Sequence, residues 1–112
     1  MVFGLPPLIA QWLRFDRVTE MAERVAGRSR LAVWQRVMDR LPSLHPHEAR
    51  GYLRARAVAI VCDETACLIE QEGVKVARLR GTIEEAALQL LVHTMTAQLH
   101  SRHAVLSGRR AA

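Results

Sequence analysis

The segment from 47 to 72 constrains the fold most, because its centre is apolar around the whole helical circumference. That centre is the run Ala57-Val58-Ala59-Ile60-Val61-Cys62. A helix that is apolar on all sides must be covered by other elements. Ala and Leu are abundant and aromatic residues make up only 4% of the chain, so helix is favoured over strand. We therefore expect an all-α domain in which this helix is central and buried.

Apolar residues before and after this segment recur at intervals of three and four, which is typical of one face of a helix. In the N-terminal half, Gly27 is expected to end a first helix and Ser29 to cap a second. Together with the central helix the pattern predicts a four-helix bundle-like domain, with helices over 7–26, 29–41, 47–72 and 82–104.

The C-terminal helix carries the most specific local signal, because Thr82 and Glu85 match a capping box. It should pack antiparallel to the central helix, since a short connection favours neighbours. Because of Gly73, residues 66–79 are compatible with either a helix or a hairpin, and the pattern favours the helix. We expect one domain over 1–106 and a flexible tail over 107–112. Eight large side chains should lie in the core or at an interface: Trp12, Trp34, Leu53, Ile60, Val61, Leu68, Leu90 and Leu91.

The chain carries a net charge of +5, and its basic excess lies in the N-terminal half. Residues 19–40 superficially resemble the DNA-binding helix-turn-helix, although the alanine-to-glycine interval is one residue too long. A DNA-binding regulator is therefore an alternative function. Its phosphate-binding residues would be Arg28, Arg30, Arg36 and Arg40.

Three histidines of the last helix are candidate metal ligands: His93, His100 and His103. The His100–His103 pair has the spacing to grip a divalent cation, but zinc needs about four converging ligands. Metal binding is therefore a second alternative, and no cofactor is predicted. A solvated polar face is the more ordinary interpretation of such histidines.

The sequence offers no set of residues for catalysis. Cys62 lies in the most apolar run, where a thiol is usually inert, and acidic neighbours disfavour activation of Cys67. Asp63 and Glu64 point about 100° apart on a helix, so they do not share one small site easily. An enzyme is thus not expected. Two cysteines without a C-x-x-C motif, and no signal peptide, favour a reducing, cytoplasmic location.

The N-terminal segment 1–15 is strongly apolar and adds to surface that the other helices must already cover. Its candidate interface residues are Phe3, Leu8, Trp12 and Phe15. Such a segment can lie on a membrane surface, but it more often packs on its own core or on a partner. The leading hypothesis is a non-enzymatic helical module for protein–protein interaction or self-assembly, acting as a homo-oligomer or with a protein partner.

Overall fold

The computed structural model describes the backbone of residues 7–111 and the side chains of residues 17–73 and 76–101. This part of the chain contains no strand, which confirms the all-α class. It contains three long helices, a single 3-10 turn at Leu41–Ser43 and one short helix. The long helices are α1 (Pro7–Val37), α2 (Pro46–Glu72) and α4 (Arg80–Ala111), and the short one is α3 (Val74–Ala77).

The prediction of two separate helices before residue 42 is wrong, because α1 runs unbroken through Gly27 and Ser29. Val25, Ser29 and Val33 are all fully buried on one face of this helix. Keeping that row buried outweighs the cost of about 1 kcal/mol for a glycine inside a helix. The two N-terminal helices of the expected bundle are therefore one, and the bundle has three long helices.

The predicted central helix is confirmed, since α2 begins at Pro46 and ends at Glu72. Gly73 ends it with a φ of 95°, a conformation that other residues rarely adopt. The Gly73 amide donates to the carbonyl oxygen of Ile69 at 2.8 Å and closes the last turn. Residues 66–79 therefore contain the end of α2 and the short helix α3, as the favoured interpretation predicts, and not a hairpin.

The expectation that α2 is buried on every side is wrong. Ala57, Ile60 and Val61 are buried, whereas Val58 is 40% exposed and Ala59 is exposed as well. Within the part of the chain that the structure describes, two other long helices pack against α2, and one side of its apolar run is left exposed.

The capping box at the start of α4 does not form. The helix begins at Arg80, before Thr82, so Thr82 lies inside it and cannot act as its N-cap. The Glu85 carboxylate accepts hydrogen bonds from Arg54 of α2 at 2.7 Å instead of turning back to the backbone. The helix also passes its predicted end at 104 and continues to Ala111, through most of the segment expected as a tail.

Each long helix contacts the other two. The start of α2 (46–50) lies beside 96–100 of α4, so these helices are antiparallel, as expected. Residues 18–23 of α1 lie beside 79–93, and residues 26–30 lie beside 90–94, so α1 and α4 run in the same direction. The described helices include none that is long and apolar enough to cross a bilayer.

The core side chains come from all three long helices. Five of the eight residues predicted for the core or an interface are buried: Leu53, Ile60, Val61, Leu68 and Leu91. Trp34 is half-buried against the core, and Leu90 is 36% exposed. The side chain of Trp12 lies outside the described residues.

The buried Ser29 hydroxyl has no hydrogen-bond partner among the described residues. Removing an unsatisfied buried hydroxyl avoids a desolvation penalty, and Ala is the better helix former. We expect Ser29→Ala to raise the free energy of unfolding by about 1 kcal/mol, measured by urea denaturation followed by circular dichroism.

Ser43→Ala is the matched control for this prediction. The Ser43 hydroxyl is exposed and donates to the carbonyl oxygen of Arg40 at 2.7 Å. The same chemical change there should leave stability unchanged or slightly lower. A loss of stability in Ser29→Ala would contradict the prediction.

Candidate functional site

An apolar concave surface of the described part lies between α1 and α4. This α1–α4 groove has a volume of about 610 Å³. Its α1 wall consists of Val18, Thr19, Ala22 and Glu23. Leu79 precedes the other wall, and α4 contributes Thr82, Ala86, Gln89, Leu90 and His93. No α2 residue lines it, so the groove opens on the side that only these two helices form.

Small side chains of α1 leave space in the α1–α4 groove, and Leu90 makes its centre apolar. A second cavity of about 200 Å³ continues it past Leu90, along Ala26, Gly27 and Arg30 of α1. A Cβ atom placed on Gly27 would meet no neighbouring atom within 4 Å, so the α1 backbone is open to approach there. Small residues on one helix form the spaces into which side chains of another helix fit.

The polar groups of the α1–α4 groove lie along its walls. They are Thr19, Glu23, Thr82, Gln89 and His93. The Gln89 amide donates to Glu85 at 3.4 Å, and a hydrogen bond from Arg54 lowers the pKa of that Glu85 carboxyl. An apolar, elongated groove between two helices is suited to receive a third amphipathic helix.

The histidines predicted as metal ligands do not converge in the described structure. His93 lines the α1–α4 groove, whereas His100 lies beside His47 and Arg50 in a separate cavity of about 250 Å³. Seven residues of helix separate His93 from His100 by a rise of about 10 Å, far more than one metal ion can span. The side chain of His103 lies outside the described residues. Those residues include no group of three or more potential metal ligands.

The four arginines proposed for DNA binding are spread over the surface. The Arg28 guanidinium donates a hydrogen bond to the side-chain oxygen of Gln71 of α2 at 3.3 Å. The Arg40 guanidinium carbon lies 5.8 Å from the centroid of the Tyr52 ring. Arg30 lies along the extension of the α1–α4 groove, and Arg36 is exposed. Arg28 and Arg30 point about 200° apart on the same helix.

The helix-turn-helix that motivated these candidates has no turn, because α1 is continuous to Val37. DNA binding therefore loses the structural feature on which it was predicted, and remains a prediction.

The predicted N-terminal interface residues lie outside the described side chains. Leu8, Trp12 and Phe15 belong to α1 by their backbone, and Phe3 precedes it.

The sequence analysis places Leu90 in the core or at an interface but does not predict the α1–α4 groove around it. The available signal was the group of small residues on α1, Ala22, Ala26 and Gly27, which leaves space beside a helix. Other exposed apolar side chains lie elsewhere: Leu31 (69% exposed), Met38 (61%) and Val58 (40%).

Comparison of the chain with protein-family models, curated proteins and solved structures finds no significant match. The class of site is thus defined by geometry alone: an apolar groove between two parallel helices.

The two cysteines differ in environment, and neither lines the α1–α4 groove. Cys67 is exposed, and Cys62 is half-buried. Burial raises the pKa of the Cys62 thiol, and the nearby Glu84 carboxylate raises it further. A raised pKa leaves less thiolate near neutral pH, and the thiolate is the nucleophile.

We expect Cys62 to react with a disulfide reagent more slowly than Cys67 at pH 8. In a Cys67→Ser background, Glu84→Gln should speed the reaction of Cys62 and shift its rate–pH profile to lower pH, because a negative charge beside the thiol is removed. Glu85→Gln is the control, since Glu85 faces Arg54 instead. Equal profiles for Glu84→Gln and the parent would refute this account.

Proposed function

We propose that this protein is a non-enzymatic helical interaction module that associates with a second copy of itself through the α1–α4 groove. The proposal rests on the exposure of Leu90. Its side chain is 36% exposed at the centre of a concave apolar surface, with cavities on both sides of it. An apolar side chain that docks in such a groove is covered by both walls and loses its contact with water.

A second copy is the favoured partner because the chain itself carries surplus apolar helix. Residues 1–15 add a strongly apolar segment to a three-helix domain that already leaves Leu90 exposed. Most soluble oligomers are symmetric assemblies of one chain, in which a surface meets its own counterpart. Binding of a different protein would use the same groove and is the alternative.

A catalytic role receives no support from the α1–α4 groove. Its described titratable side chains, Glu23 and His93, lie on different walls, and its hydroxyl groups are those of Thr19 and Thr82. The free thiols Cys62 and Cys67 support a reducing, cytoplasmic location for the proposed assembly.

Leu90→Glu should abolish or weaken self-association roughly tenfold or more, because it brings an unpaired charge into an apolar contact. Sedimentation velocity over a range of concentrations measures this. The wild-type chain should sediment faster as its concentration rises, and Leu90→Glu should remain monomeric over the same range.

Val58→Glu is the matched control, since Val58 has similar exposure but lies on α2, outside the α1–α4 groove. It should associate like the wild type, and circular dichroism should show both variants folded. A wild-type chain that is monomeric at every concentration contradicts self-association. Association that survives Leu90→Glu unchanged places the interface elsewhere.

A further inference from the structure

We infer that residues 7–16 of a second copy occupy the α1–α4 groove, antiparallel to α1, so that two copies exchange these segments about a two-fold axis. This inference rests on the proposed self-association and adds the identity and direction of the docked helix. It is carried by the continuity of α1, the spacing of its side chains and the shape of the α1–α4 groove.

The segment 7–16 cannot fill the α1–α4 groove of its own chain. It continues α1 without a break, and Val18 and Thr19 already lie beside Thr82, near the first residue of the parallel helix α4. The segment therefore extends beyond the start of α4 by about 15 Å at 1.5 Å per residue.

One face of α1 carries large residues in its first part and small residues in its second part. Leu8, Trp12 and Phe15 recur at intervals of four and three, and the same row continues through Thr19, Ala22 and Ala26. Before residue 17 this face carries large apolar residues. After residue 17 it carries small ones, and Thr19, Ala22 and Ala26 line the α1–α4 groove and its extension.

The two parts of this face are complementary when the α1 helices of two copies pack antiparallel. A pairing centred on position 17 brings each large residue opposite a small one. The matched pairs are Leu8 with Ala26, Trp12 with Ala22, and Phe15 with Thr19. An antiparallel pair of identical helices is related by a two-fold axis, which produces the same contact twice. Large side chains then fit the spaces that small ones leave.

The segment 7–16 also matches the α1–α4 groove in length and can run antiparallel to both of its walls. The segment 7–16 rises about 15 Å, and the stretch Thr82–His93 of α4 rises about 17 Å. In this arrangement the docked segment runs antiparallel to both α1 and α4. Each copy then has a fourth helix beside its three, with the neighbouring directions of an up-and-down bundle.

The test is a complementation between two variants in sedimentation velocity. Trp12→Glu damages the docking segment but leaves the α1–α4 groove intact, and Leu90→Glu damages the groove but leaves the segment intact. Each variant alone should be monomeric. An equimolar mixture should form a heterodimer, because the intact segment of Leu90→Glu docks into the intact groove of Trp12→Glu.

Leu13→Glu is the matched control, because adjacent residues of a helix point about 100° apart and Leu13 lies off the row of Trp12. It should dimerise like the wild type. Leu8→Glu replaces Trp12→Glu if circular dichroism shows the latter unfolded.

The outcomes separate this inference from the proposed function. If Trp12→Glu dimerises like the wild type while Leu90→Glu does not, self-association stands and the identity of the docked segment is wrong. If the mixture stays monomeric although the wild type dimerises, reciprocal exchange is wrong. If the wild type never associates, both proposals fail.

Discussion

Burial of one unbroken row of side chains keeps α1 continuous, and the rest of the fold depends on this. Val25 and Ser29 are fully buried on either side of Gly27, and Val33 continues the row one turn later. A turn at Gly27 would remove part of this row from its contacts with the other helices. The burial of each large apolar side chain contributes about 1.5–3 kcal/mol, more than glycine costs in a helix. Because α1 is one helix, the described residues 7–111 form three long helices, with no fourth long helix to cover them.

A three-helix arrangement leaves apolar side chains uncovered, but their surroundings differ. Val58 is exposed on α2 and lines neither the α1–α4 groove nor its extension. Leu90 lies between two helices, next to the small residues Ala22 and Ala26. Burial stabilises in proportion to the apolar area removed from water. Equal exposure therefore gives more binding free energy at Leu90 than at Val58, and this favours the α1–α4 groove as an interface.

The sequence predicts elements well where the backbone itself is constrained. Pro46 and Gly73 delimit α2 because one fixes φ and the other adopts a positive φ. It fails where a weak local signal competes with packing. The helix stop at Gly27 and the capping box at Thr82 are each worth about 1 kcal/mol, less than the burial of a single large side chain. The small residues Ala22, Ala26 and Gly27 indicate space beside α1, but the sequence does not show which helix borders that space, because the two walls of the α1–α4 groove are distant in sequence.

Electrostatic contacts distinguish the three helix pairs. Arg24 of α1 pairs with Glu72 of α2 at 2.8 Å, and Arg54 of α2 pairs with Glu85 of α4 at 2.7 Å. Within the described residues no ion pair joins α1 to α4. Both helices are thus tied to α2 and packed against each other through apolar and small side chains. Such a contact can change its width without separating charges, so the groove is able to adjust to the large side chains of an incoming helix.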